Sequence, residues 1–495
     1  MELFTRLFIK KETILALGAE SVGIFAVYRN GDIFVSENFG DLLDEKNFLK
    51  YKKAVLFYLK KERFKPDVIL TDLHPLFKTT IFGEDLALRL GSGQAQKRYL
   101  LLSKKNTKLI KVQHHFAHIF SAVGDYFCHP EFISGSENYR FRNKFGMTES
   151  YKIPNTFFGI AMDGTGYGLD GNIWGGEVFE ITNYKLQITK QFQNQNFKTN
   201  TGKLNLNIER IGSLEEQTMI GGDLAVKEPA RMLIAILAKI TNYKLQITNK
   251  SQITNLKKQK DFIYKYVKNF YTRNEFEALY SQSKQDFNCQ KTTSTGRILD
   301  AVAVLLGFAG NERKFKHEAV KKLEENSSIP YFLKPIITFS VIASSLPAGD
   351  ERGNLSACLR NKSRPPRLGE AGIREGLLRR SDDYIGTPRN DKRWILQTTP
   401  LFKYLIKNIH KDKKRLAATA QLYVARGLYE IIKKNHKSLI INHKSGFFAA
   451  GGMANNKIIS SYLEKQGVYI PKKIPRGDEG IAIGQIIYYL TNSRH

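Results

Sequence analysis

Residues 156–181, "TFFGIAMDGTGYGLDGNIWGGEVFEI", run an apolar strand into a glycine-rich turn and out again. The stretch reads as a hairpin-like unit with Asp163 at the end of its first strand and Gly164, Thr165 and Gly166 in a tight turn behind it. Glycines let backbone N–H groups approach and cradle phosphate oxygens, and a threonine hydroxyl adds a donor. An ordinary turn has the same letters, so one DGTG decides nothing. A second glycine turn, "AAGGMANNK", places Gly451 and Gly452 between a strand and the start of a helix, which is a natural anion site. Asn456, at that helix start, reads equally as a cap or as a ligand contact.

The rest of the chain alternates in the same way. Residues 13–40 read as a β-hairpin turning at "RNGD", 44–64 carry helical periodicity, and "PDVILTDLHP" is a buried strand ending in a loop. "GRILDAVAVLLGFAG" and "AATAQLYVARGLYEIIKK" read as helices, and 445–467 as strand, glycine turn and helix. Two halves that each open with a hairpin and continue with α/β units predict a duplicated α/β fold with its ligand between the halves. At 495 residues with 42% hydrophobic side chains, the chain can bury such a pair of cores.

Several stretches break the alternation. "ITNYKLQIT" occurs at 181–189 and again at 240–248, identical copies that read as duplicated low-complexity sequence placed in loops. Residues 129–150 and 344–393 are expected to be inserts that tolerate deletion; the second is rich in Gly, Pro, Ser and Arg and has little apolar periodicity. The expected organisation is a first α/β half at 1–180, a low-complexity insertion region at 181–260 around "GGDLAVKEP", and a second half at 261–495 with the inserted loop 344–393.

Composition narrows the function classes. The three cysteines, Cys128, Cys289 and Cys358, form no CxxC pair, which argues against a disulfide framework, a zinc ribbon or a thiol redox motif. No apolar run is long enough for a membrane helix and the N-terminus lacks signal-peptide character, so the expected location is the cytoplasm. A formal charge of +30 points towards polyanions, yet the lysines and arginines form no basic stripe and no recognised nucleic-acid module, so nucleic acid is not the expected partner.

"VQHHFAHIFSAV", 112–123, puts three histidines on an apolar helical pattern. His114 and His118, four apart, share one face and can aim at one point, whereas His115 points elsewhere. Such a pair is a metal site only with further ligands, and otherwise one core and one surface histidine. Asp478, in the loop of "IPRGDEGIAIGQ" before a small-residue helix, is either a cap or the missing carboxylate.

Taken in order, "LGAE", "GDL" (40–42), "DLHP", "VQHHFAH", "DGTGYGLDGNIWGGE", "GGDLAVKEPARM", "TSTGRILDAVAVLLG", "GGMANNK" and "GDEGIAIGQ" resemble the carbamoyl-transfer, Kae-like domain of the hydrogenase-maturation carbamoyltransferase family, HypF. The resemblance runs from about residue 14 to 490 once the inserts are excised. It implies an α/β fold of the actin-like ATPase superfamily with long loop insertions. It also implies that His114, His118, Asp478 and Asp163 hold a divalent iron or zinc ion. Gly164, Thr165, Gly166, Gly451 and Gly452 would then line the phosphate path, Asp300 would take ribose hydroxyls, and Asn456 would stand beside the nucleotide. The implied activity is acyl-adenylate-dependent: carbamoyl-adenylate, an ATP-derived nucleotide, gives its carbamoyl group to a thiol of a partner protein in NiFe-hydrogenase maturation.

The chain departs from the family's pattern in places. "KHEA" (316–319) stands where "EGQA" is usual, so Lys316, His317 and Glu318 occupy positions expected near the ribose, and Tyr423 stands for a histidine. The lysine usual in the first hairpin is absent from "GAESVG". The sequence opens where the transfer domain opens, which leads to the expectation that a separate protein forms the carbamoyl-adenylate. Two other readings remain at this stage: an RNA-modifying enzyme related to the tRNA threonylcarbamoyl transferases, and a non-catalytic scaffold from a split gene.

Overall fold

The computed structural model describes residues 11–91, 107–127, 131–132, 139–142, 156–183, 206–245, 252–342, 391–435 and 446–492. Contacts separate two compact units, Met1–Thr338 with Trp394–His495, and Phe339–Arg393. Of the second unit, only 339–342 and 391–393 are among the described residues, so most of the expected loop 344–393 lies outside them.

The first sheet uses β1 (Ile14–Ala16), β2 (Ala26–Arg29), β3 (Asp32–Val35), β4 (Val68–Asp72), β5 (Lys108–Val112), β6 (Glu131–Phe132) and β7 (Tyr139–Arg142), in the order β5-β4-β1-β2-β3-β7-β6. Asn30 and Gly31 close the β2–β3 hairpin with φ of 52° and 92°, the paired left-handed turn that an Asn-Gly step favours. β4 lies parallel to β1 and β5, and the Glu45–Lys61 helix follows the hairpin. Asp44 caps that helix by accepting the N–H of Lys46 and Asn47, and Tyr51, Val55 and Leu59, spaced one turn apart, are its buried face. Of the expected insert 129–150, only 131–132 and 139–142 are among the described residues, and they add the edge of the sheet: β7 pairs antiparallel with β3 along four residues and β6 pairs with β7.

The second sheet contains β8 (Thr156–Tyr167), β9 (Ile173–Asn183), β10 (Leu206–Leu214), β11 (Gln217–Ile220), β12 (Cys289–Thr292), β13 (Ile337–Ile342), β14 (Asp391–Leu396) and β15 (Gly446–Ala450). β9 is antiparallel to β8 and β10, and β15 is parallel to β8. The series β10-β9-β8-β15 thus repeats β3-β2-β1-β4, three antiparallel strands with a parallel one beside the first. This is the duplicated α/β arrangement expected of an actin-like fold.

The first half expected at 1–180 runs too far, because β8 and β9 already belong to the second sheet, and residues 181–260 are not simply an insertion region. β10 and β11 fall inside it, and so does the Ala230–Leu245 helix, whose Met232, Leu233, Ile234, Ile236 and Leu237 are fully buried. Residues 184–205 and 246–251 lie outside the described ones. The chain's far end returns to its beginning. The Ile481–Asn492 helix shares a core with β1, β4 and the His114–Phe127 helix, through Ile483, Ile486, Phe120 and Val123. The two helices touch so closely that a Cβ on Gly484 would stand 1.9 Å from the Ala117 carbonyl oxygen. Glycine is the residue that fits there. No helix among the described residues is long and apolar enough to cross a membrane.

Candidate metal centre

The His114–Phe127 helix begins directly after β5, and the Gln113 side-chain carbonyl accepts the Phe116 N–H at its first turn. That start places His114 and His118 on one face, both buried, beneath the end of the apolar part of β8 that carries Asp163. Asp478 reaches the same point from the turn ahead of the Ile481–Asn492 helix. His114 Nε2 lies 3.4 Å from Asp163 Oδ2 and 3.7 Å from Asp478 Oδ1; His118 Nε2 lies 3.8 and 3.5 Å from the same two atoms. One ligand atom from each of the four residues falls within 4.8 Å of all the others.

The donor set fits a divalent metal. Bonds of about 2.1 Å in tetrahedral geometry hold ligand atoms roughly 3.4 Å apart, close to the spacings between these imidazoles and carboxylates. His114 Nε2 and both ring nitrogens of His118 are buried with no hydrogen-bond partner among the described residues, a costly state unless something else binds them. The His114 ring is oriented from behind, since its Nδ1 lies 2.7 Å from Asp72 Oδ2 at the end of β4. A carboxylate behind a liganding imidazole fixes its tautomer and raises its basicity. Burial pushes both carboxyls up, yet the imidazoles beside Asp163, and Lys316 followed by the same imidazoles at Asp478, hold both well below the usual carboxylate range. Burial pushes both imidazoles down, but Asp72, Asp163 and Asp478 lift His114 well above its ordinary value, and Asp163 and Asp478 lift His118. His115 goes the other way, since burial and the charge on His114 lower it. Its ring packs against Trp174, and its Nδ1 meets the Gln113 amide at 2.9 Å.

The two glycine turns converge on this cluster. The Gly452 N–H donates to Asp163 Oδ1 at 3.2 Å. Gly451, at φ +109°, passes so close to Met162 that a Cβ would stand 2.1 Å from its carbonyl oxygen, so the turn requires glycine. The pairing of β8 with β9 breaks between Met162 and Gly166, which frees the DGTG segment from the ladder. Ser294, capping the Thr295–Leu306 helix, donates its hydroxyl to the Asp163 and Gly164 carbonyls and pins that segment. Gly164 and Thr165 line a small cavity of about 120 Å³ that reaches Asp163, and Gly452 lines a neighbouring one of about 460 Å³. Gly166 stands apart from both cavities, against the rings of His115 and His114.

Of the expected nucleotide contacts, Asn456 is engaged within the fold, whereas neither carboxylate oxygen of Asp300 has a hydrogen-bond partner among the described residues. The Asn456 side chain caps the Lys457–Lys465 helix by accepting the Ile459 N–H, and its amide donates to Gln421 at 2.6 Å. Asp300 is fully buried, with Oδ2 2.7 Å from Arg297 Nη2 and 3.7 Å from Arg313 Nη1.

Several site residues escaped sequence reasoning. Asp72 and Ser21 hold His114 and Asp478, and Lys316, noted only as a departure, pairs with Asp478 at 2.7 Å. Asp125 accepts the backbone N–H groups of Lys472, Lys473 and Ile474 and the Tyr469 hydroxyl, fixing the loop that leads to Asp478. A signal for Asp125 existed, since an acid in the last turn of a helix opposes the helix dipole unless another partner holds it.

A family model described as the HypF Kae1-like domain matches residues 9–125, and one described as the carbamoyltransferase Kae1-like domain, second subdomain, matches 159–203, 202–330 and 367–485. The chain belongs to the HypF carbamoyltransferase family. The probable carbamoyltransferase HypF of Methanocaldococcus jannaschii is 28% identical over 97% of this chain and 47% of its own length. The carbamoyltransferase HypF of Synechocystis sp. is 24% identical over 63% of this chain and 32% of its own. The chain therefore spans about half the length, or less, of these HypF relatives. Full-length HypF in a phosphate- and nucleotide-bound crystal form superposes with a TM-score of 0.62 at 21% identity, covering 98% of this chain and 56% of that one. T. kodakarensis HypF gives 0.63 at 21% identity, with 97% and 48% covered. These two likenesses show the fold.

Proposed function

We propose that this chain is the carbamoyl-transferring part of a NiFe-hydrogenase maturation enzyme, moving a carbamoyl group from carbamoyl-adenylate to a thiol of a partner protein. The observation that carries the reading is the convergence of His114, His118, Asp163 and Asp478 with both glycine turns on one point, in a chain of this family.

The four side chains would hold a divalent iron or zinc ion, which suits two imidazoles and two carboxylates and supplies Lewis-acid charge beside a phosphate. Gly452 on one side and Gly164 and Thr165 on the other line cavities that can receive the nucleotide's phosphate. Asp72 keeps the His114 ring turned towards the cluster, and Asp125 keeps the Asp478 loop in place. In the transfer, the acceptor's thiolate sulfur bonds to the carbamoyl carbon. The bond from that carbon to the phosphate oxygen breaks, and its electron pair leaves on AMP.

The test supplies purified chain, iron or zinc, carbamoyl-adenylate and a cysteine-bearing maturation protein, and follows labelled carbamoyl by mass spectrometry. Label on the acceptor cysteine, lost in Asp478→Asn, is the expected result. Label on tRNA instead, or no transfer by a folded and metal-loaded chain, overturns the reading.

A further inference from the structure

His317 stands at φ +65°, the left-handed region that a residue with a β-carbon enters at a cost, immediately ahead of the Glu318–Glu325 helix. Neighbours hold the backbone there. Its carbonyl accepts the Lys321 N–H at 2.9 Å, and the Glu318 carboxylate accepts the Lys314 N–H at 2.6 Å. The His317 side chain makes no capping hydrogen bond to the helix it precedes, and its Nδ1 is buried with no hydrogen-bond partner among the described residues. A strained backbone that carries a ring with no local capping role points to a function for the ring itself.

The ring lies between the two glycine turns. A Cβ on Gly452 would stand 3.3 Å from His317 Cε1, and one on Gly164 would stand 3.6 Å from the same atom. Gly452 borders the cavity of about 460 Å³ and Gly164 the one of about 120 Å³, and both cavities are lined by Lys316, His317 and Asp478. Lys316 and Asp478 pair at 2.7 Å, so the wall between the cavities consists of an ion pair and an imidazole. His114 and Asp163 border the smaller cavity alone. Sites that enclose small molecules hold about 300–1,000 Å³. The larger cavity reaches that range and the smaller does not, so a nucleotide that touches the His/Asp cluster has to lie across the wall.

We propose that His317 is a specificity-determining partition: its ring separates the larger cavity from the His/Asp cluster and has to turn aside before a ligand as long as a nucleotide can span both. An ion as small as phosphate fits within one cavity and does not need the ring to move. That the spanning ligand is an adenylate rests on the function proposed above; the partition itself rests on the place of the ring between Gly164 and Gly452.

The test is calorimetric titration of the full chain, zinc-loaded, with AMP and separately with inorganic phosphate, in wild type, His317→Ala and His317→Phe. A ligand that binds only when the ring has turned aside loses affinity in proportion to the open fraction. With the open arrangement populated at roughly 1–10%, His317→Ala is expected to tighten AMP roughly ten- to a hundredfold and to change phosphate by less than about threefold. His317→Phe, which keeps the bulk of the ring without its nitrogens, is expected to bind AMP no better than wild type. Should His317→Ala fail to fold, His317→Gly, the residue suited to a positive φ, carries the same expectation. AMP affinity unchanged in the folded variant, or no AMP binding by either protein, overturns the partition. Weaker AMP binding in His317→Ala shows that the imidazole holds the nucleotide, and equal tightening of phosphate and AMP shows that the ring's length-dependent exclusion is wrong; either result overturns the inference. Tighter AMP binding without carbamoyl transfer overturns only the proposed function.

Discussion

Lys316 Nζ stands 2.7 Å from Asp478 Oδ2, on the carboxylate whose other oxygen faces His114 and His118. An ammonium group thus competes for the charge of a proposed metal ligand.

Lys316→Met is expected to tighten divalent-metal binding. The lysine side chain is 49% exposed, so the gain is held to the range of an exposed ion pair, up to about fivefold in dissociation constant. Competition with a chromophoric chelator measures it. Weaker metal binding in the variant would show that Lys316 supports the carboxylate and does not compete for it.

His114→Ala and His118→Ala are each expected to abolish stoichiometric metal, and Asp72→Asn to weaken it about 10–100-fold by releasing the His114 ring. His115→Ala should keep its metal yet lose about 1–3 kcal/mol of stability, because this ring is fully buried against Trp174 and Gly166. Metal analysis alongside thermal unfolding separates the two effects. Equal metal content in all four variants would remove the cluster from consideration.

Much of this arrangement is legible in the sequence because it rests on local rules. Asn30–Gly31 dictates its hairpin turn, and the four-residue spacing of His114 and His118 dictates a shared helical face. The repeated opening hairpins announce the duplicated sheets. What stayed hidden depends on partners far along the chain. Asp300 stands in a recognisable motif, but nothing near it reveals that Arg313 would share its carboxylate. The repeated "ITNYKLQIT" shows the limit most plainly. The first copy's Ile181–Asn183 ends a strand, whereas in the second copy residues 240–245 end a helix, so surroundings and not local propensity decide the form.

Asp125 offers a test of how the Asp478 loop is held. Its carboxylate collects three backbone N–H groups, from Lys472 at 2.8 Å, Lys473 at 3.0 Å and Ile474 at 2.6 Å, together with the Tyr469 hydroxyl at 2.6 Å. Hydrogen bonds to a charged group contribute about 1.5–3 kcal/mol each, and they do not add when one carboxylate serves them all. Asp125→Ala is expected to cost about 3 kcal/mol in denaturant unfolding and to weaken metal binding at a distance. Asp125→Asn, with one carbonyl oxygen left, should fall between. An unfolding free energy unchanged in Asp125→Ala would mean that the loop is fixed by its other contacts.

Glu215 supplies a pH-dependent element of stability through partners other than the metal ligands. Its carboxylate accepts the Thr399 N–H at 2.6 Å and hydroxyl at 2.8 Å and the Thr398 hydroxyl at 3.3 Å, at the start of the Thr399–Lys407 helix, and it pairs with Lys239 at 2.7 Å. Burial pushes this carboxyl up, but Lys239 and the Thr399 donors outweigh it and hold the group below its ordinary 4.5. A depressed carboxyl stabilises the fold fully above its unfolded value and loses that contribution as pH falls through the folded one. Glu215→Gln is therefore expected to be less stable than wild type at neutral pH by about 1–3 kcal/mol, mostly from the buried hydrogen bonds, since Lys239 is 44% exposed and adds little. The gap should close as the pH drops below about 4.5, where wild type takes up the proton the variant never needs. Denaturant titrations of both proteins across the acid range measure this, and a gap independent of pH would show that the interaction depends on shape and not on charge.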